Sequence, residues 1–184
     1  MIDNPYLDKV MDNDLLRKID SYTYREKLVR EYAWAIPTEE AIRVIIKYGP
    51  VVEAGAGTGY WASLISQVGG DIICYDKDPP GESENQYKHT KQHFKINHGG
   101  PEEISKHNDR SLFLCWPPYS NNMGLDHIKA YNGKTLILVS EGCGGCCGTD
   151  EMFDYIDKYY NHAEEVYIPQ WFGIYDELNV YIKK

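Results

Sequence analysis

Three short stretches carry side chains whose types and spacing suit chemistry: Glu53-Ala54-Gly55-Ala56-Gly57-Thr58-Gly59, Asp76, and Trp116-Pro117-Pro118-Tyr119. Glycines between a strand and a helix permit a tight turn and let a ligand approach the backbone, while the helix start presents free N–H groups. The spacing is G-x-G-x-G, not the G-x-G-x-x-G of a dinucleotide pyrophosphate site, and no G-K-[ST] follows as in phosphate-loop nucleotide hydrolases. Glu53, an acid just before the loop, repels phosphate and suits a cationic amino-acid group. Asp76 stands 21 residues beyond Gly55, where an acid accepts hydrogen bonds from ribose hydroxyls. The alternative is a strand-to-helix turn with no ligand.

Trp116-Pro117-Pro118-Tyr119 follows the apolar run Ser111-Leu112-Phe113-Leu114-Cys115, which delivers it to the carboxyl edge of a sheet, where open α/β folds bind ligands. Two prolines stiffen the loop and hold the flanking rings with little entropy left to lose on binding. The alternative is a rigid turn with both rings packed in the core. Glu141, after Leu136-Ile137-Leu138-Val139-Ser140, is expected at the same edge, facing a substrate cleft as a proton or hydrogen-bond acceptor, or else capping a helix or pairing with a cation. Cys143, Cys146 and Cys147 make a poor metal site, because zinc usually takes two separated ligand pairs and Cys74 and Cys115 lie in strands. No metal is expected. The run 88–98 holds three lysines, three histidines and no acid, so it could carry a phosphate or a nucleic-acid backbone, although a solvated face explains it as well.

These residues need elements to hold them. The pattern Leu15, Leu16, Ile19, Leu28, Val29, Tyr32 predicts a helix over 14–35, broken by Pro37. Thr38 reads as the N-cap of a second helix striped by Ala41, Val44 and Ile45 and ended by Gly49-Pro50. Strands at 51–54, 71–75, 111–116 and 134–140 then alternate with helices at 60–68, 125–131 and 150–160. Residues 93–97 suggest a further strand, and 165–168 and 178–182 an antiparallel closing hairpin. That alternation predicts a Rossmann-like three-layer α/β sandwich, with a seven-stranded, mostly parallel sheet preceded by N-terminal helices. Residues 1–184 are expected to form one domain, with 1–48 a helical cover and 49–184 the core.

The loop, the acid and the hairpin together resemble the class I S-adenosylmethionine-dependent methyltransferases. Glu53, Gly55, Gly57 and Gly59 match that family's first motif and Asp76 its second-strand acid. The resemblance implies S-adenosylmethionine as cofactor, S-adenosylhomocysteine as product, and methyl transfer as the activity. Tyr32-Ala33-Trp34-Ala35-Ile36-Pro37-Thr38, Gly59-Tyr60-Trp61-Ala62 and Cys115-Trp116-Pro117-Pro118-Tyr119 look like a small subgroup of this type, and that likeness brings no acceptor with it. It makes Trp34 and Pro37 candidate lid residues over the methionine end, and Trp116 a neighbour of the cofactor.

The last segment also resembles the Asp/Asn-Pro-Pro-Tyr motif of amino-methyltransferases, in which the first residue accepts hydrogen bonds from the target NH2. Here Trp116 has no such acceptor, so Tyr119 remains as a stacking ring without a group to orient an exocyclic amine. The acceptor is therefore left open among an RNA base, a nucleotide, a protein side chain and a small metabolite. A cofactor-binding scaffold or sensor without turnover is the second reading. A nicotinamide oxidoreductase is the third, opposed by the glycine spacing and Glu53.

Composition bounds the rest. A net charge of −9 over 184 residues disfavours nucleic-acid binding by overall field. The apolar runs fall well short of the roughly 18 residues a membrane span needs. The first residues, Met1-Ile2-Asp3-Asn4-Pro5, show no signal-peptide pattern, so the expected location is the cytoplasm, which also suits the 5 cysteines. The 16 tyrosines stand out, and suit packing or stacking sites that want a ring with a polar tip.

Overall fold

Successive residues of a strand point to opposite faces, so a strand with helices on both sides must be apolar throughout. Leu112, Leu114, Leu136 and Leu138 pack into one buried cluster, and Phe113, Ile137 and Val139 into another. These two cores lie on opposite faces of one sheet. A computed structural model describes residues 2–12, 22–81 and 90–184. In order, the elements are α1 (Pro5–Asp12), α2 (Tyr22–Glu31), α3 (Glu39–Lys47), β1 (Val51–Ala54), α4 (Tyr60–Gln67), β2 (Ile72–Asp76), β3 (Ile96–His98), α5 (Pro101–Ile104), β4 (Ser111–Cys115), α6 (Met123–Ala130), β5 (Thr135–Ser140), α7 (Asp150–Tyr159), β6 (Tyr160–Tyr167) and β7 (Glu177–Lys183).

The seven strands run in the order β3-β2-β1-β4-β5-β7-β6. β1 pairs in parallel with β2 and β4, β2 with β3, and β4 with β5, whereas β7 lies antiparallel between β5 and β6. This is the Rossmann-like methyltransferase fold, with the expected antiparallel hairpin. The order reverses at β1 and β4, and the crevice at their carboxyl ends is the usual ligand position in such sheets.

Several differences from the sequence reading have local causes. α3, α4 and α7 start where expected, with the Thr38 hydroxyl accepting from the Ala41 N–H at 3.1 Å, whereas α6 starts at Met123, two residues before the expected 125, and the short α5 has no counterpart in the sequence pattern. Of the first expected helix, residues 14–21 lie outside the described ones, and α2 stops at Glu31. α1 was not expected. It is held by Asn4, whose side chain accepts from the Leu7 N–H at 3.2 Å, and by Pro5 in the first turn. β6 begins at Tyr160, well before the expected 165, because as an edge strand its early residues are mostly exposed and polar and lack an apolar alternation. No helix among the described residues is long and apolar enough to cross a membrane.

Candidate active site at the carboxyl edge of the sheet

The glycine loop is shaped by backbone signs that only glycine adopts freely. Gly55, Gly57 and Gly59 have φ of 70°, 56° and 73°. A Cβ on Gly59 would meet the Phe94 backbone nitrogen at 3.2 Å and its Cβ at 3.1 Å. The Gly55 and Ala56 N–H groups donate to the Tyr75 carbonyl at 2.9 and 3.1 Å, clamping the loop to the end of β2. Asp76 completes the clamp. Its Oδ2 accepts from the Gly57 N–H at 2.9 Å and its Oδ1 from the Asp78 N–H at 2.8 Å. The Thr58 hydroxyl ties the loop to the Tyr32 carbonyl after α2.

Glu53 sits beneath this loop and is almost wholly buried. Its described polar contact is the Cys74 thiol, which donates to Oε2 at 3.4 Å. Burial pushes its carboxyl up to about 8; the Cys74 contact opposes the rise, and the nearby Asp76 adds to it. A buried acid with no cation beside it is costly to ionise and is relieved by an arriving positive charge.

Across the crevice lies an aromatic wall. Trp116 takes φ of 55°, a left-handed conformation rare for a bulky residue. Its N–H donates to the Val139 carbonyl at 2.9 Å, and its indole Nε1 donates to Asp176 Oδ1 at 2.6 Å. Held so, the ring stacks on Trp34 with centroids 5.0 Å apart and planes 10° from parallel. The Arg25 guanidinium of α2 lies 5.3 Å from the Trp34 ring and 5.5 Å from that of Trp116. Loop and wall enclose one cavity of about 1060 Å³. That exceeds the roughly 300–1,000 Å³ typical of a single ligand site.

Of the residues singled out in the sequence, Glu53, Gly55, Gly57, Asp76, Trp34, Trp116, Pro118 and Tyr119 line this cavity. Gly59 stands just behind, as the N-cap of α4. Pro37, expected as a lid residue, is instead buried, its carbonyl accepting from Asn4 Nδ2 at 2.8 Å beside α1. Pro117 is also buried, tucked against Gly124 of α6, with its carbonyl accepting from the Gly148 N–H at 2.7 Å. Glu141 is the third correction: it does not line the cavity. Its two oxygens accept from the Cys146 N–H at 2.6 Å and the Tyr175 N–H at 3.0 Å, so it braces the loop after β5.

The basic run does not form a uniform cationic face. Lys88 and His89 lie outside the described residues. His93 packs its ring against Tyr32 and Tyr60, pairs with the Glu31 carbonyl at 2.7 Å, and is pushed toward neutrality by burial. The five cysteines are all free thiols, and no cluster of three metal-ligating side chains occurs among the described residues.

Three residues the sequence reading passed over belong here. Arg25 carried no signal beyond its place in a helical pattern. Asp176 precedes β7 in an irregular segment, is fully buried, and burial pushes its carboxyl up to about 7; the Trp116 N–H and Arg25 oppose that rise and Glu141 adds to it. His127 lines the cavity, and its Nδ1 bonds the Met123 carbonyl at 2.7 Å, so Nδ1 carries the proton. Burial lowers its pKa, leaving a neutral ring with Nε2 as an acceptor.

No protein-family model matches this chain, and no curated protein does. Solved structures do match in fold. One is the 1,6-didemethyltoxoflavin-N1-methyltransferase of Burkholderia thailandensis with 1,6-didemethyltoxoflavin and S-adenosylhomocysteine bound: TM-score 0.55, 13% identity, 89% of this chain and 88% of that one. The N-methyltransferase NodS of Bradyrhizobium japonicum WM9, with S-adenosylhomocysteine, matches over 98% of this chain and 99% of its own, at TM-score 0.53 and 13% identity. The magnesium protoporphyrin IX methyltransferase of Synechocystis PCC 6803 covers 89% of this chain and 85% of its own, at TM-score 0.52 and 11% identity.

Proposed function

We propose that this chain binds S-adenosylmethionine and transfers its methyl group to an acceptor held in the same cavity. The observation that carries the reading is the hydrogen bond from the Gly57 N–H to Asp76 Oδ2, which couples the glycine loop to the acid on one cavity wall. The residues suit the cofactor. Two left-handed glycines, Gly55 and Gly57, bring backbone to the cavity wall, and Glu53 is a buried acid with no cation beside it among the described residues. Asp76 stands where ribose hydroxyls are held in such sheets. Solved structures that share the fold hold S-adenosylmethionine or S-adenosylhomocysteine.

When bound, the cofactor supplies a methyl group already activated on a sulfonium. The chain then has to position the acceptor and exclude water. Glu53 ionises beside the cationic amino-acid end, Asp76 holds the ribose, and Trp34, Trp116 and Tyr119 shape the acceptor side. Methyl transfer asks little acid–base help of the protein, which accords with Glu141 being used in a loop brace.

A second reading, cofactor binding without turnover, is favoured by one detail. Trp116 lacks a side-chain acceptor, and its one donor is already bonded to Asp176. Thermal unfolding with S-adenosylhomocysteine, S-adenosylmethionine and NAD tests the cofactor. At 100 times its dissociation constant a ligand adds about 2.7 kcal/mol, a rise of roughly 5–10 °C for a chain of this length. The two sulfur ligands are expected to give that rise in wild type and not in Asp76→Ala; no rise in wild type would sink the reading. Binding with no methyl transfer to nucleic acid, protein or metabolite pools would favour the scaffold.

A further inference from the structure

We propose that the acceptor is a small planar molecule bearing an oxyanion, seated on the Trp34–Trp116 wall with the oxyanion held by Arg25; this rests on the cavity being a methyl-transfer site. Arg25 lines the cavity and lies near both stacked indole rings. Its Nε and Nη2 are nevertheless buried with no hydrogen-bond partner. Those two nitrogens form the guanidinium edge whose parallel N–H bonds match two oxygens of a carboxylate or phosphate. Leaving buried donors unpaired is costly, the more so when they are charged. Such an orphaned edge calls for a partner.

Among the described residues none supplies it. Asp176 is the nearby candidate, and its Oδ1 is bonded to Trp116 while its Oδ2 is itself without a partner. The cavity that Arg25 lines can supply a partner once the guanidinium turns its buried edge toward it. Planarity follows from the aromatic lining, in which the stacked Trp34 and Trp116 are joined by the exposed rings of Tyr22 and Tyr119. Small size follows from charge. Apart from Arg25 the described cavity residues offer Lys77 as a cation, set among Asp76, Asp78 and Asp126, in a chain of net charge −9. A polyanion is repelled there, whereas one oxyanion is held by one guanidinium.

The test titrates the full chain with benzoate, benzamide, indole-3-carboxylate, indole-3-carboxamide and phenyl phosphate, with and without saturating S-adenosylhomocysteine, following tryptophan fluorescence and melting temperature. At least one anion is expected to bind ten-fold or more tightly than its matched neutral partner. The ratio of benzoate to phenyl phosphate identifies the oxyanion. Arg25→Gln is expected to erase the preference. Arg25→Lys, which keeps the charge but not the fork, is expected to lose most of it. Both are expected to melt within a few degrees of wild type in the absence of ligand, which shows that they fold; loss of the S-adenosylhomocysteine shift in either one would make the cofactor's own carboxylate the partner of Arg25 and overturn the proposal. Equal binding of amides and anions, undiminished anion binding in Arg25→Gln, or no anion binding would each overturn the proposal. If S-adenosylhomocysteine fails to bind wild type, the methyltransferase reading falls, and the titrations on the ligand-free chain still decide whether Arg25 holds an oxyanion.

Discussion

Two buried acids, Glu53 and Asp176, give the site an electrostatic character that neither residue has in the unfolded chain. Glu53 moves from an ordinary 4.5 to about 8, and Asp176 from 3.8 to about 7. Both bind protons more tightly when folded, so their stabilising effect is fully present below the unfolded values and is lost as pH rises through the folded ones. Wild-type stability should therefore fall between about pH 5 and pH 8, each group contributing at most about 1.4 kcal/mol per pH unit. Glu53→Gln and Asp176→Asn cannot titrate, and each should flatten part of that slope in melting curves taken at pH 5, 6, 7 and 8. Curves parallel to wild type would contradict the assignment. The cofactor's ammonium favours ionised Glu53, so affinity for S-adenosylhomocysteine should rise with pH toward 8 in wild type and stay level in Glu53→Gln. Trp116 shows the other side of residue-scale design: a left-handed bulky residue costs about 1–3 kcal/mol and is held by its bonds to Val139 and Asp176.

Elements hold these residues through their ends. α3 begins with a Thr38 cap followed by Glu39 and Glu40, both placed to favour the positive end of the helix. Thr38→Ala should lower stability by about 1 kcal/mol in urea unfolding with little change in m-value; a loss near zero would mean the cap is dispensable. β1, β2, β4 and β5, with α4 and α6, were legible because their apolar runs are local, whereas the single turn of α5 is too short to show a pattern. α1 carried a weaker signal, Asn4-Pro5, which marks a helix start before only two buried residues, Tyr6 and Val10. The first half of β6 carried none, because pairing with β7, not side-chain pattern, makes it a strand.

At the scale of the whole molecule, α1 packs behind two cavity-lining rings, Tyr32 and Tyr60. Tyr6 stacks on Tyr32 at 5.1 Å, its hydroxyl accepts from Trp171 Nε1 at 3.1 Å, and Tyr32 and Tyr60 meet at 4.8 Å. This cluster joins the two ends of the chain to the segment that carries Trp34, and absorbs several of the 16 tyrosines. Tyr6→Ala should destabilise by about 3–5 kcal/mol and weaken S-adenosylhomocysteine binding in calorimetry, because it loosens Tyr32 and the Thr58 anchor together. An unchanged melting temperature would refute that coupling. What the residues determined by themselves was whatever is written locally. Alternating apolar strands and helices dictated a layered sheet, and the glycine spacing with Asp76 at the right distance marked the crevice. What only the tertiary structure decided was direction and partnership. Glu141 has the sequence position of a cleft residue and bonds two loop N–H groups instead, while Arg25 and Asp176, about 150 residues apart, meet at one indole. Side-chain aim depends on which distant segments pack together, and no spacing along the chain encodes that.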